Sequence, residues 1–168
     1  MSSLFYLIGD KLMNIILIRH GQAESFASDD ASRMLTTQGE HQSQQTAAWL
    51  LNQGYQLDAL IVSPYKRAQQ TAYHVAQVFD IPMTTCDQIT PDNSAQAAFE
   101  WLDELLLPES ATIAVVCHMP IVARLAVLLT GESVQHIAGF SVAEAQVIQM
   151  PMFAAGVGKV IARFVPTI

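Results

Sequence analysis

Three nearly uninterrupted apolar runs divide the chain, and each one leads into polar residues. They are residues 14–18 (NIILI), 57–63 (LDALIVS) and 111–118 (ATIAVVCH). Runs of this length that are rich in β-branched residues and do not alternate with polar positions are typical of strands buried on both faces. The runs therefore predict a mainly parallel sheet that is covered on each side by other elements.

Amphipathic segments lie between these runs and predict helices. Residues 37–52 place Leu50 and Leu51 on one apolar stripe, as expected of a helix that packs on a sheet. After the second run, Ser63 and Pro64 predict a helix start, with the serine as N-cap and the proline in the first helical position. The helices that follow are expected over residues 63–79, 91–107 and 120–131.

The remaining strands complete one layered domain. They are expected over residues 82–86, 142–150 and 157–165. The alternation of strands and helices predicts a three-layer α/β fold, with a mostly parallel sheet flanked by helices and an antiparallel C-terminal edge strand. We expect a single domain over residues 13–168. Residues 1–12 are expected to be an N-terminal extension outside it, because Met13 immediately precedes the first strand.

The composition of the 168-residue chain is globular and acidic. Hydrophobic residues make up 51% and charged residues 14%, which suits one substantial core. The net charge of −7 argues against nucleic acid or an anionic membrane as the main partner, since both require basic patches. Cys86 and Cys117 lie among apolar or small residues, which indicates reduced core thiols of a cytoplasmic protein. No apolar run approaches the roughly 20 residues of a membrane-spanning helix.

Polar side chains converge on one predicted edge of the sheet. Arg19 and His20 directly follow the first run. Ser63 ends the second run, with Arg67 four residues later, and His118 ends the third. Because the carboxyl ends of parallel strands share one edge, and ligands bind there, we expect these residues to form one site.

The residue types at this edge favour a phosphoryl group as the ligand. Guanidinium groups match phosphate oxygens bidentately, and helix N-termini add N–H donors. The chain has only eight lysines and arginines, so two arginines in one site are notable. A neutral imidazole is a competent nucleophile, and phosphoryl transfer needs little beyond positioning and charge stabilisation. No spacing typical of metal ligands accompanies these residues, and we expect neither metal nor cofactor.

Four motifs carry a family resemblance: LIRHGQAES, LTTQG, SPYKRAQQTA and VVCHMP, in this order. Together they resemble the histidine phosphatase (phosphoglycerate mutase-like) superfamily, across nearly the whole chain from residue 13. The resemblance implies that His20 is the nucleophile and becomes a phosphohistidine, and that Arg19, Arg67 and His118 complete the phosphate pocket. In these roles His20 must be neutral, whereas His118 would be more useful as a cation.

Four further residues are candidates for supporting roles. Gly21 lets the backbone turn tightly beside the nucleophile, and Ser63 matches the serine of the family's SP..RA.QTA signature. We expect both to contribute to substrate binding. Glu24 and Asp92 are possible general acids for the leaving oxygen. The alternatives are that Glu24 is simply solvated and that Asp92 only starts a helix.

The short connection between the SP..RA.QTA helix and the third long strand bears on the substrate. Larger members of the superfamily insert a helical cap there, whereas residues 80–110 hold only one short strand and one helix. An open site suits a phosphorylated group displayed on another protein. This compact layout is similar to the SixA-type phosphohistidine phosphatases, which implies a histidine-containing phosphotransfer domain as the partner.

Two other functions stay open at this point. A phosphomonoesterase for small sugar or nucleotide-type phosphates would use the same four pocket residues. A non-catalytic phosphate-binding module that modulates a signalling partner would need the pocket without turnover. An unrelated flavodoxin-like or nucleotide-binding domain is disfavoured, because no glycine-rich fingerprint follows any predicted strand.

Overall fold

The computed structural model describes residues 11–133 and 139–167. Strands β1 to β6 span Met13–Arg19, Ala59–Val62, Met83–Thr85, Thr112–Cys117, Ala145–Met150 and Lys159–Phe164. Helices α1 to α4 span Thr37–Asn52, Lys66–Phe79, Ala95–Asp103 and Ile121–Thr130. Short 3-10 helices lie at Asp30–Ser32 and Asp87–Ile89.

The sheet has the strand order β3-β2-β4-β1-β5-β6. Strands β1 to β4 run parallel to one another, and β5 runs antiparallel to both β1 and β6. Strand β1 is therefore central, with Arg19 opposite Cys117 on β4 and Ile18 opposite Ala145 on β5. This topology confirms the predicted mostly parallel sheet with an antiparallel C-terminal edge.

Successive side chains of the central strand β1 point to opposite faces of the sheet, so each face packs against its own layer of helices. Ile16 and Ile18 are fully buried in a cluster with side chains of α1 and α2 on one face of the sheet. Ile15 and Leu17 are equally buried in a second cluster with side chains of α3 and α4 on the other face. Because both faces are covered, the strand needs apolar residues at every position, as its sequence shows.

Helix α2 begins later than predicted. It starts at Lys66, with Tyr65 as the N-cap, and the prediction of Ser63 as N-cap and Pro64 in the first helical position is wrong. The hydroxyl of Ser63 accepts a hydrogen bond from the backbone N–H of Tyr65 and also bonds to His118. Ser63 therefore directly follows the end of β2, and its hydroxyl is engaged in a long-range contact with His118 instead of capping α2.

Helix α3 is also shorter than the predicted span. Ser94 is its N-cap and accepts a hydrogen bond from the backbone N–H of Ala97, so Asp92 lies in the preceding turn and does not cap the helix. Leu106 falls after the helix, with φ of 50° and 89% exposure.

Leu51 on α1 is 47% exposed, so it does not belong to the buried apolar stripe that was predicted for this helix.

The predicted domain start at residue 13 coincides with the start of β1, and Met13 is buried. Residues 1–10, most of the expected extension, lie outside the described residues. Cys86 and Cys117 are buried free thiols, as predicted, and burial raises the pKa of Cys117 to about 12. Among the described helices, none has the length and apolar character needed to cross a membrane.

Candidate active site

The carboxyl ends of β1, β4 and β2 lie side by side and carry the candidate residues. The backbone N–H of His20 donates to the carbonyl of Cys117 at 3.0 Å, and that of Ser63 donates to the carbonyl of Val116 at 3.1 Å. His118 directly follows Cys117 at the end of β4. The sheet ladder therefore fixes where the two histidines and the serine leave their strands.

The imidazole of His20 is buried and held in one tautomer. Its Nδ1 lies 2.7 Å from the carbonyl oxygen of Gly21, and because a carbonyl can only accept, the ring proton is on Nδ1. The other nitrogen, Nε2, accepts a hydrogen bond from Nε of Arg67 at 3.2 Å. Burial is the main cause that lowers the pKa of His20 to about 4, and Arg67 and Arg19 lower it further. His20 is thus neutral near pH 7, with its lone pair on Nε2.

Arg67 is held from three sides. Its Nη1 donates to the backbone carbonyl of Asp30 at 2.6 Å, and its Nη2 donates to the Asp30 carboxylate at 3.1 Å. The guanidinium also lies 5.1 Å from the ring centroid of Tyr65. Arg33 binds the same carboxylate at 2.8 Å, so Asp30 joins two arginines. These partners lower the pKa of Asp30 against the opposing effect of desolvation.

The ring of His118 lies beside that of His20, with 5.1 Å between the centroids. Its Nε2 is 2.7 Å from the hydroxyl oxygen of Ser63. That hydroxyl also accepts a hydrogen bond from the backbone N–H of Tyr65. Within the described residues the buried Nδ1 of His118 has no hydrogen-bond partner.

The protonation state of His118 differs from the expectation that it acts as a cation. Burial lowers the pKa of His118 to about 2, and His20 and Arg67 add to the effect. The imidazole is therefore neutral in this structure. A phosphate dianion beside it would act in the opposite direction, because an opposite charge at close range favours the charged form.

Arg19 reaches the same site from the end of β1. Its Nη1 donates to the carbonyl of Phe140 at 2.7 Å, while its buried Nε has no partner among residues 11–133 and 139–167. Burial lowers the pKa of Arg19, and the nearby carboxylate of Glu144 opposes that shift. Glu144 is itself fully buried and accepts from Arg163 at 2.8 Å. This buried carboxylate was not predicted.

Gly21 is needed for close packing rather than for an unusual backbone angle. A Cβ at this position would lie 2.5 Å from the carbonyl oxygen of Gly39 and 2.8 Å from the hydroxyl of Ser43. The backbone N–H of Gly21 donates to the hydroxyl of Thr71 at 3.0 Å. The expected substrate-binding role stays a prediction, and the contacts add a positioning role: Gly21 brings α1 and α2 against the turn that carries His20.

The two candidate general acids lie outside this group of contacts. Glu24 is exposed, and its backbone N–H donates to Met34 while its carbonyl accepts from Arg33. Asp92 is exposed in the turn before α3. The structure brings Arg19, His20, Ser63, Arg67 and His118 together and describes no side-chain contact from either acid to them.

Sequence reasoning missed Asp30, Thr71 and Glu144. A signal existed for Thr71, which lies one helical turn after Arg67 within the SPYKRAQQTA motif and donates to the carbonyl of Arg67 at 2.9 Å. Asp30 follows Asp29, a typical capping residue, and nothing local points to an arginine 37 positions away. Among the described residues there is no group of three or more His, Cys, Asp or Glu side chains that could hold a metal ion.

Comparison with known proteins identifies relatives of this chain. The family model of the histidine phosphatase superfamily (branch 1) matches residues 15–90. A phosphohistidine phosphatase SixA homolog of Haemophilus influenzae is 33% identical over 132 residues, which cover 71% of this chain and 79% of that protein. Phosphohistidine phosphatase SixA of Escherichia coli (strain K12) is 32% identical over 124 residues, which cover 72% of this chain and 77% of that protein.

Solved structures show the same architecture. The protein histidine phosphatase SixA, in complex with tungstate, superposes with a TM-score of 0.82 at 27% identity, covering 92% of this chain and 97% of that one. A mycobacterial glucosyl-3-phosphoglycerate phosphatase superposes with a TM-score of 0.72 at 14% identity, covering 90% of this chain and 98% of that one. The second match shows a shared fold only.

Proposed function

Because the chain belongs to the histidine phosphatase superfamily, we propose that it is a phosphohistidine phosphatase that removes the phosphoryl group from a histidine of another protein. Its relatives in Haemophilus influenzae and Escherichia coli are a phosphohistidine phosphatase SixA homolog and phosphohistidine phosphatase SixA, which supports this substrate. His20 serves as the nucleophile and carries the phosphoryl group transiently. We assign the reaction to one catalytic domain over residues 13–168.

One observation carries the proposal: the lone pair of His20 is on Nε2, beside Arg67. The hydrogen bond from Nδ1 to the Gly21 carbonyl fixes this tautomer. The lowered pKa of His20 keeps the nitrogen unprotonated near neutral pH. A buried, neutral and oriented imidazole next to a guanidinium can attack a phosphoryl group without further activation.

In the first step, Nε2 of His20 attacks phosphorus and forms a new P–N bond. The P–N bond to the substrate imidazole breaks, and that imidazole leaves with the electron pair and a proton from solvent on its other nitrogen. His20 now carries a positive charge shared over its ring. The carbonyl of Gly21, 2.7 Å from Nδ1, stabilises that charge.

In the second step, a water oxygen attacks the same phosphorus. The bond between phosphorus and Nε2 breaks, its electron pair returns to His20, and inorganic phosphate leaves with the protons of the water shared between phosphate and solvent. Both steps develop negative charge on the equatorial oxygens. We assign the stabilisation of this charge to the guanidinium groups of Arg19 and Arg67 and to the imidazole of His118.

The exposed positions of Glu24 and Asp92 are compatible with this substrate. An imidazole leaves readily once its second nitrogen is protonated, so the enzyme need not supply an acid at the leaving atom. A stable phosphoserine would need that help. The exposure of both carboxylates therefore favours phosphohistidine over a phosphate ester.

The short segment between α2 and β4 also supports a protein substrate. It contains β3, one 3-10 helix and α3. Among the described residues, it holds no further domain that could cover the carboxyl edge of the sheet. A site without a cap accepts a side chain displayed on a protein surface. We propose a histidine-containing phosphotransfer domain as the partner and the cytoplasm as the compartment, where the two buried thiols stay reduced.

The test is to trap the phosphoenzyme. A phosphotransfer domain labelled with ³²P on its histidine is mixed with the protein and quenched in alkali within the first turnover. We expect label on the wild-type chain that is stable to alkali and lost in acid, and none on His20→Ala. The exposed His41 on α1 supplies the control, since His41→Ala should be labelled like wild type. Label on the His20→Ala chain would overturn the assignment of the nucleophile.

Turnover and phosphate-binding measurements separate the alternatives. Faster turnover of sugar phosphates or p-nitrophenyl phosphate than of the phosphorylated domain would favour a small-molecule phosphomonoesterase. Phosphate binding without turnover of any of these compounds would favour a non-catalytic module.

A further inference from the structure

The reacting nitrogen is recessed, so a protein substrate must touch the rim of the site. His20 is 7% exposed, Arg67 2% and His118 1%. A phosphohistidine side chain is short, and its phosphoryl group can reach Nε2 of His20 only if the surrounding surface of the partner lies against the residues around the opening. The rim is therefore part of the binding surface for any protein substrate.

One side of this rim is residues 22–34, here called the rim loop. It leaves the site after Gly21 and returns to α1 beside a bridge between Ala23 and Leu35. Its 3-10 turn places Asp30 on Arg67, with contacts of 2.6 and 3.1 Å. A second brace joins Arg33 to the carbonyl of Glu24 at 3.1 Å. The rim loop is thus bonded both to itself and to the pocket arginine.

The rim loop exposes two large apolar side chains. Phe26 is 89% exposed, and Met34 is 45% exposed. Met34 accepts from the backbone N–H of Glu24 at 2.8 Å, so it lies across the loop from a residue two positions before Phe26. A single exposed apolar residue is ordinary on a protein surface. Phe26 differs from an ordinary exposed residue in its location, because Asp30 of the same loop binds the pocket residue Arg67.

We propose that the rim loop is the docking surface for the protein that carries the phosphohistidine, with Phe26 as its apolar anchor and Met34 as a second exposed apolar residue of the same loop. This inference rests on the proposed function. The partner it fits is a protein with an apolar depression next to its phosphorylated histidine. Exposed aromatic side chains that fill such depressions account for a large share of binding energy at protein interfaces.

The chain offers a matched control for Phe26. Leu106 is also 89% exposed, but it lies between α3 and β4, at the amino edge of the parallel strands and so at the opposite end of the sheet from His20. The experiment compares kcat/KM for a phosphotransfer domain phosphorylated on histidine with kcat/KM for free phosphohistidine. Both constants are measured for wild type, Phe26→Ala and Leu106→Ala.

The ratio of interest is kcat/KM for the phosphorylated domain divided by kcat/KM for free phosphohistidine. We expect this ratio to fall about tenfold in Phe26→Ala and to stay at the wild-type value in Leu106→Ala. Equal ratios in all three proteins, with the phosphorylated domain still turned over, would overturn the docking surface and leave the proposed function standing. If wild type hydrolyses free phosphohistidine but not the phosphorylated domain, the protein substrate is wrong and the docking surface falls with it. Matching melting temperatures of the two variants confirm that both fold.

Discussion

Arg67 donates from Nε to Nε2 of His20 across 3.2 Å, and that nitrogen is the proposed nucleophile. Nη1 and Nη2 each give one N–H to Asp30, which leaves the second N–H of each for a phosphoryl oxygen. The lone pair of Nε2 must give up its contact with Arg67 before it can attack phosphorus. Catalysis therefore begins with an exchange of hydrogen bonds at Arg67, while Asp30 keeps the guanidinium in position.

Arg67→Lys should lower kcat/KM for phosphohistidine about 100-fold. An ammonium keeps the charge but cannot present three N–H groups in a fixed plane to His20, Asp30 and a phosphoryl oxygen. Steady-state kinetics with free phosphohistidine measure the effect. A loss of less than about threefold would show that charge alone, without the fork geometry, is sufficient.

Asp30→Asn should strengthen inhibition by inorganic phosphate by roughly three- to fivefold. The amide does not compete with phosphate for Nη2 of Arg67 as the carboxylate does, while the backbone contact to Nη1 is kept. Asp29→Asn makes the same charge change one residue earlier, where the side chain accepts hydrogen bonds from Ser32 in the 3-10 helix and, among the described residues, does not bond to Arg67. Equal inhibition constants for the two variants would show that overall charge, and not the contact with Arg67, is responsible.

The free energy of unfolding should decrease as the pH falls from 6.5 toward 4. The folded pKa of His20 is about 4, against an ordinary value of 6.5, so the unfolded chain binds more protons throughout this window and acid favours it. His118 acts in the same direction. The loss is roughly 3 kcal/mol for His20 alone. The lowered pKa of Asp30 adds to the decrease only at the acid end of this window, because the ordinary value for aspartate is 3.8.

Urea unfolding at several pH values measures this slope. His20→Gln should show a smaller decrease than wild type over the same window. Identical slopes for His20→Gln and wild type would contradict the assignment of a neutral His20.

Gly21→Ala should destabilise the fold by about 2 kcal/mol, because its Cβ would meet the backbone of Gly39. Gly54→Ala gives a useful contrast. Its Cβ has open space around it, but its φ of +84° is unfavourable for alanine and should cost about 1 kcal/mol. Chemical denaturation compares the two. Only Gly21→Ala should also reduce turnover, and equal turnover in both would contradict the positioning role of Gly21.

Local signals made most of the fold predictable. Helix α1 has the predicted bounds because Thr36 caps it through the backbone N–H of Gly39, three residues later, and its apolar positions recur with a helical period. The start of α2 was mispredicted because Ser63 and Pro64 form an equally good local signal for a helix. The partner that occupies Ser63 is His118, 55 residues further along the chain.

For the site too, features with local sequence signals could be predicted, whereas contacts between residues far apart in the chain could not. The convergence of Arg19, His20 and His118 could be predicted because they lie at or just after strand ends, and the sheet topology brings those ends together. Arg67 joins them from the first turn of α2, the helix that follows β2. Asp30 and Glu144 could not, because their roles come from Arg67 and Arg19, which lie far from them in the sequence. The rim loop also lacks any apolar period that would have predicted its path.

His20 and His118 follow the ends of two neighbouring central strands, β1 and β4, joined by a parallel ladder in which Arg19 lies opposite Cys117. The spacing between the two imidazoles is therefore set by backbone hydrogen bonds in the most protected part of the sheet. Amides in such strands exchange with solvent only when the whole domain opens. Fraying of the edge strands β3 and β6 would leave that spacing intact, whereas heat would remove the activity and the fold in a single step.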